Sequence, residues 1–267
     1  MRTYPIGIYE KALFSKSLPE MLDDSVRLGF DVFEISIDET DYRLARLQSS
    51  STERKQIARS ASDAGISLYS FCFSGHRRFP MGSSDPATEK QAMLMMEQAV
   101  HLAYDLGVRV IQVAGYDVFY EPHSEDTGKR FEDNLYKSVE LASRNGIMLA
   151  LETVETYVTS VRKGMEIIKK INSPWLNLYP DVANLYMMGF DPVQELLLGR
   201  GHTVAIHMRE APDDNYIPFG DGELNFPQIF SSLQAINFHG PLMVELWNEN
   251  NPDYETVLLD AIRFLQN

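Results

Sequence analysis

A single cysteine, Cys72, occurs among 267 residues. One thiol forms neither an internal disulfide framework nor a cysteine-based zinc cluster. Positive charge is scarce as well: 24 Lys and Arg stand against 38 Asp and Glu, a formal net charge of −14. Such a chain repels phosphate backbones and anionic lipid surfaces, and no run of five Lys/Arg offers either one a foothold. No apolar run reaches the roughly 18 residues of a membrane helix. The start, Met1-Arg2-Thr3-Tyr4-Pro5, lacks the apolar core of a signal peptide. Pro/Gly/Ser linkers and low-complexity tracts are also missing. These absences point to a soluble, cytoplasmic protein with no nucleic-acid or membrane partner.

What is present supports a sizeable core, with 44% hydrophobic and 11% aromatic residues. The length suits a single (β/α)8 barrel spanning 1–267, since such barrels take about 250 residues. Eight short apolar runs read as strands: Pro5–Tyr9, Val32–Ile37, Ser67–Phe73, Arg109–Ala114, Met148–Thr153, Trp175–Pro180, Val204–His207 and Leu242–Leu246. They are mostly unbroken rather than alternating, as expected of parallel strands buried on both faces. Helical patterns fill the gaps at 18–29, 53–64, 88–106, 130–145, 160–171, 191–199, 226–236 and 253–266. Gly29, Gly107 and Gly146 stand where helices end. The longest irregular stretches, 74–87, 115–126 and 208–224, each follow a predicted strand, on the face where barrels carry their chemistry. An open doubly-wound sheet would normally show a glycine-rich loop after its first strand, and Gly7-Ile8-Tyr9-Glu10 is not one.

Four metal-capable side chains close predicted strands five to eight: Glu152, Asp181, His207 and Glu245. Ionisable groups at the ends of apolar strands are costly unless paired or coordinated. Any one of them has an ordinary reading: a strand-end acid caps a helix or pairs with a cation, Asp181 can cap the next helix, and a lone histidine is often a satisfied core residue. Four at four consecutive strand ends point instead to one divalent cation, because a barrel gathers these ends and the set is rich in oxygen. The segment Ser74-Gly75-His76-Arg77-Arg78-Phe79-Pro80 concentrates positive charge after the third strand, and arginine binds phosphate through two oxygens. Tyr9, Tyr116 and Trp247 sit at or past strand ends, placed to wall a sugar pocket or plug the barrel mouth. Met93, Met95 and Met96 read as packing between helix and barrel. Pro218-Phe219-Gly220-Asp221-Gly222 reads as a turn.

Several stretches carry a resemblance that runs essentially the whole chain. They are Ile6-Gly7-Ile8-Tyr9-Glu10-Lys11-Ala12-Leu13, Asp38-Glu39-Thr40-Asp41, His76-Arg77-Arg78-Phe79-Pro80, Arg109-Val110-Ile111-Gln112, Ala114-Gly115-Tyr116-Asp117-Val118, Leu178-Tyr179-Pro180-Asp181, Pro218-Phe219-Gly220 and Glu245-Leu246-Trp247. The sequence resembles the bacterial L-ribulose-5-phosphate 3-epimerases, also called L-xylulose-5-phosphate 3-epimerases. These belong to the xylose-isomerase-like TIM barrel superfamily, with the ketohexose 3-epimerases and endonuclease IV.

The resemblance implies an isomerase that inverts C3 of a pentulose phosphate, in an L-ascorbate or other pentose route. It implies one divalent metal ion (Mn²⁺, Zn²⁺, Co²⁺ or Mg²⁺) on Glu152, Asp181, His207 and Glu245, with Glu152 and Glu245 as the acid/base pair. His76, Arg77 and Arg78 would meet the phosphate, Asn184 and Arg209 the substrate, and the protein would form a dimer or larger homo-oligomer. Two departures bear on the substrate. Asn184 stands where the free-sugar epimerases usually place a second histidine, which weakens a free-sugar reading. Met208-Arg209-Glu210 replaces the Val-Lys-Asp of close relatives. Alternatives are a free-ketose 3-epimerase or aldose–ketose isomerase on the same scaffold, and a non-enzymatic sugar-binding barrel. A multi-zinc DNA-repair enzyme is disfavoured by only six histidines, one of them (His101) mid-helix, and by the −14 charge.

Overall fold

The computed structural model describes residues 4–212 and 216–266. The first residues of the N-terminal stretch read above, and residues 213–215 of the 208–224 loop, lie outside the described residues. Eight strands occur among the described residues: β1 (Ile6–Tyr9), β2 (Val32–Ser36), β3 (Ser67–Phe73), β4 (Val110–Ala114), β5 (Met148–Glu152), β6 (Leu176–Tyr179), β7 (Ile206–Met208) and β8 (Leu242–Val244). Each lies within a residue or two of its predicted run. All pair in parallel, in the order β6-β5-β4-β3-β2-β1-β8-β7.

Between β6 and β7 no continuous ladder forms. The seam is closed by the isolated bridges Leu178–Thr203 and Asp181–His207. The Leu178 N–H donates to the His202 carbonyl at 2.8 Å, and the His207 N–H to the Pro180 carbonyl at 2.9 Å. The result is the expected (β/α)8 barrel, nearly closed.

Helices follow the strands: α1 (Leu18–Leu28), α2 (Asp41–Leu44), α3 (Ser51–Ala64), α4 (Pro86–Leu106), α5 (Glu125–Arg144), α6 (Val161–Ile171), α7 (Val182–Met187), α8 (Pro192–Leu198), α9 (Phe226–Ala235) and α10 (Tyr254–Gln266). The eight expected helices are there; α3, α4 and α5 start earlier than read because their caps lie upstream, and the others start within a residue of the reading. Ser50 and Glu53 form a reciprocal capping box on α3, and Asp85 caps α4 ahead of Pro86. The short helices α2 and α7 went unread, because four to six residues carry no legible period. Gly29 ends α1 at φ +97°, a backbone region that costs glycine little. No helix among the described residues is long and apolar enough to cross a membrane.

Besides a small cluster of Ala114, Tyr116 and Val154 at and just past the strand ends, two apolar regions result. The larger lies between the strands and the helix ring and includes the fully buried Met96 and nearly buried Met95 of α4. The smaller fills the base of the barrel with Val110, Ala150, Tyr179, Ala205 and Met243. Above it the interior turns polar, where barrels are usually packed with branched apolar chains.

One strand-end acid is purely architectural. Glu10, fully buried after β1, accepts from Arg43 and Arg46 and takes the Ser36 N–H at 2.9 Å. It ties the β2–α3 connection to the barrel rim. Burial pushes its carboxyl up, but Arg46 and Arg43 outweigh this and hold it below its ordinary value. A lowered carboxyl stabilises the fold above its unfolded pKa of about 4.3 and loses that effect as pH falls through the folded value. Glu10→Gln should therefore cost about 3–5 kcal/mol at pH 7, because the largely buried Arg46 loses its counter-charge and buried Arg43 keeps only Glu249 at 3.0 Å. In urea unfolding, the gap to the unaltered chain should narrow below about pH 4. Equal midpoints at neutral pH would rule this role out.

Candidate active site and metal centre

The strand register brings the C-terminal ends of β5 to β8 together. Glu152 ends β5 opposite Ala114 and Tyr179, Asp181 bridges to His207, and Glu245 directly follows β8. One ligand-capable atom from each of Glu152, Asp181, His207 and Glu245 lies within 4.8 Å of the others, and all four residues are buried. His207 Nδ1 stands 2.7 Å from Glu152 Oε1 and 3.7 Å from Glu245 Oε2.

Asp181 does two jobs. Its Oδ1 caps α7, accepting from the Ala183 and Asn184 N–H groups at 2.7 and 3.0 Å, while Oδ2 accepts from Arg209 Nε at 3.1 Å. A helix cap and a place in the cluster, alternatives at the level of sequence, are thus compatible on one carboxylate.

Neighbouring residues hold these four in place. Gln112 of β4 donates to Glu152, and its own carbonyl accepts from the Phe73 N–H at 2.8 Å. Arg209 Nη2 donates to Asn184 Oδ1 at 2.7 Å, and Asn184 donates on to the Thr153 carbonyl at 3.0 Å. The crowding shifts the ionisations. Burial, with Asp181 and Glu34 adding to it, raises Glu152 against the pull of His207. Burial, Glu152 and Asp181 raise Glu245 further. Burial would push His207 down, but the charges of Glu245 and Glu34 override it and hold the imidazole well above its ordinary value.

Glu152 and Glu245 line a cavity of about 320 Å³, with Asp181 and His207 fully buried beside them. That volume is at the lower end of small-molecule sites. Tyr9, Tyr116 and Trp247 wall it, as do Asn184 and Arg209, whose guanidinium lies 5.5 Å from the Trp247 ring centre.

The three basic residues after β3 part company. Arg77 lines the cavity, its guanidinium 4.5 Å from the Phe119 ring centre and 3.8 Å from Glu39. Its Nε is buried with no hydrogen-bond partner among the described residues. His76 instead is buried against Phe73, with Nε2 3.2 Å from the Ala92 carbonyl; burial pushes it down to about 4. Arg78 points to surface, pairing with Asp41 at 2.6 Å. His76 and Arg78 therefore do not reach the cavity where they were expected. The turn Ser74–Arg77 is a 3₁₀ helix, in which successive side chains diverge by about 120°.

Lys11, Asp38 and Glu39 line the cavity without having been singled out from the sequence. Lys11 pairs with Asp38 at 3.0 Å. Glu34 and Gln112 were also missed. Their legible signal is a charged or amide side chain inside an otherwise apolar strand, Val32-Phe33-Glu34-Ile35 and Val110-Ile111-Gln112-Val113.

Residues 22–267 match the family described as xylose isomerase-like TIM barrel. The chain is 40% identical to the L-ribulose-5-phosphate 3-epimerase UlaE of Escherichia coli K12, over 93% of this chain and 89% of that protein. It is likewise 40% identical to the putative L-ribulose-5-phosphate 3-epimerase SgbU of the same strain, over 100% and 96%. The chain belongs to this family of epimerases. Its enzyme class is accordingly that of the isomerases. The fold also matches solved structures of lower identity. An L-ribulose 3-epimerase gives a TM-score of 0.80 at 22% identity, over 98% of this chain and 93% of that one. The D-allulose 3-epimerase from Methylomonas sp. gives 0.82 at 16%, over 99% and 97%.

The double duty of Asp181 can be separated experimentally. Asparagine caps helices as well as aspartate, so Asp181→Asn should leave the metal-free protein within about 1 kcal/mol of the unaltered chain. Added Mn²⁺ should raise the melting temperature of the unaltered chain and not that of the variant. An equal rise in both would remove Asp181 from the ligand set.

Proposed function

We propose that this protein is a divalent-metal-dependent 3-epimerase interconverting L-ribulose 5-phosphate and L-xylulose 5-phosphate. The observation that carries the reading is the cluster of Glu152, Asp181, His207 and Glu245 beside the cavity, in a family whose relatives are named for an L-ribulose-5-phosphate 3-epimerase. The donor set fits a cation: three carboxylate oxygens and one imidazole nitrogen suit Mn²⁺, Mg²⁺, Co²⁺ or Zn²⁺. Three converging carboxylates are also mutually repulsive without added positive charge.

Inverting C3 of a 2-ketose means removing the proton next to the carbonyl and returning one to the opposite face. Two faces need two proton carriers, and Glu152 and Glu245 come from different strands. Glu152 takes the C3 proton, and the electron pair moves into the C2–C3 bond as the carbonyl oxygen gains charge. Glu245, protonated at the outset, then delivers its proton to C3 from the other side; for the reverse epimer the two exchange roles. A divalent ion on the four ligands supplies Lewis-acid stabilisation of the developing oxyanion. Asn184 and Arg209 border the reacting end of the substrate, and Arg77 and Lys11 are the cavity's cations for the phosphate. Binding there, remote from C3, holds the reacting carbon in place.

With Mn²⁺ the protein should convert L-ribulose 5-phosphate to its C3 epimer and, in D₂O, incorporate deuterium at C3. L-Ribulose and D-fructose should turn over with lower kcat/KM, and a greater kcat/KM on either would transfer the assignment to free ketoses. Glu245→Gln should abolish interconversion of the epimers while the protein still binds metal, leaving C3 deuterium exchange only on the epimer whose proton Glu152 removes, and normal epimerisation in that variant would sink the two-carboxylate scheme. Arg77→Met should raise KM for the ketose phosphate about 10- to 100-fold, the worth of one charge-assisted hydrogen bond of about 1.5–3 kcal/mol. It should barely change KM for L-ribulose.

A further inference from the structure

Glu34 is a buried charged residue beside the candidate ligands that the proposed chemistry leaves unused. It lies inside β2, fully buried, and does not line the cavity. A carboxylate there costs several kcal/mol unless its oxygens are fully engaged, and they are. Oε1 stands 2.7 Å from His207 Nε2, and Oε2 accepts from Tyr179 Oη at 2.7 Å and Ser70 Oγ at 2.5 Å. The donors come from β7, β6 and β3, so the carboxylate is fixed from three sides across the barrel interior. The Tyr179 ring packs against the same imidazole, 4.6 Å between ring centres, with Tyr9 at 6.5 Å.

We propose that Glu34 is the positioning residue for His207: by taking the Nε2 hydrogen it fixes the tautomer and ring orientation in which Nδ1 faces Glu152, Asp181 and Glu245. When His207 binds a cation its imidazole is neutral, with one N–H and one lone pair. Assigning the hydrogen to Nε2 leaves the lone pair on Nδ1, the nitrogen 2.7 Å from Glu152. Carboxylate partners of this kind orient metal-binding histidines generally, and their loss lowers metal affinity about 10- to 100-fold. Glu34, Cys72 and His207 also approach closely enough to hold an ion themselves. That arrangement would need the lone pair on Nε2 and would compete with the hydroxyls of Tyr179 and Ser70 for Glu34. The filled hydrogen-bond set favours the positioning role.

The inference rests on the metal reading above, and the two can fail separately. Metal-stripped protein is titrated calorimetrically with Mn²⁺. The unaltered chain should bind one ion, and Glu34→Gln should bind one about 10- to 100-fold more weakly. At saturating Mn²⁺ the variant should show a lower kcat with KM little changed. Tyr179→Phe, which keeps Glu34 but removes one of its anchors, should weaken Mn²⁺ binding by a smaller factor and covers the case in which Glu34→Gln does not fold. In the unaltered chain loaded with Zn²⁺, long-range ¹⁵N correlation, assigned by its loss in His207→Gln, should find Nε2 protonated. Equal Mn²⁺ affinity in unaltered chain and Glu34→Gln, a metal-bound Nε2, or two ions per chain would overturn the positioning role and leave the metal reading standing. No Mn²⁺ binding by the unaltered chain would overturn both.

Discussion

The rest of the site depends on one electrostatic problem: four buried carboxylates crowd a single imidazole. Glu34 and Glu152 each stand 2.7 Å from a ring nitrogen of His207, Glu245 stands 3.7 Å from Nδ1, and an Asp181 ligand atom lies within 4.8 Å. Charges so close in a low-dielectric interior repel far more strongly than on the surface. The protein's own residues moderate this in two ways. His207 is held toward its protonated form, and Arg209 lies 3.1 Å from Asp181 and 3.6 Å from Glu245. Neither suffices, since Glu152 and Glu245 are both pushed up. A site assembled at this cost is poorly explained by packing, for branched apolar chains fill the same layer in most barrels.

The barrel makes the arrangement possible at its weakest point. Seven of the eight strand junctions are ladders, whereas β6 and β7 meet through isolated bridges, and one of these is Asp181 to His207. Two of the four candidate ligands thus sit on the seam itself. The local backbone is committed there by other means: Asp181 caps α7, and its own N–H donates to Thr153 Oγ1 at 3.0 Å. The seam is held by the polar network around the site as much as by sheet hydrogen bonds.

How much of this was legible depended on where each residue falls in its element. Strands and long helices were readable because apolar runs and glycine stops are local signals. Glu152, Asp181, His207 and Glu245 were readable because an ionisable group at the end of a buried strand is conspicuous. The same signal occurs at Glu10, whose outcome differs: two arginines from the following connection neutralise it. Sequence position alone does not separate the two cases, because the partner that decides is 33 or 36 residues away. Glu34 shows the opposite failure. A mid-strand glutamate looks anomalous but names no partner, and its partner His207 is 173 residues distant. His76 and Arg78 were misplaced because neighbours in sequence were taken as neighbours in direction, which a 3₁₀ turn denies them.

Net charge takes on a narrower meaning at the cavity. A chain at −14 would take the proposed anionic sugar phosphate only through local cations, and those of the cavity are already paired. Lys11 faces Asp38 at 3.0 Å, Arg209 faces Asp181 at 3.1 Å, and Arg77 faces Glu39 at 3.8 Å. A phosphate there would exchange one anionic partner of such a cation for another, and the cation that gives up least would be favoured. Arg77 has the longest of these pairings and a buried Nε with no hydrogen-bond partner among the described residues. Its guanidinium is also oriented over Phe119, so little side-chain freedom remains to be lost on binding. Of the three basic residues that follow β3, the one that reaches the cavity is thus also the one whose present contacts are cheapest to replace.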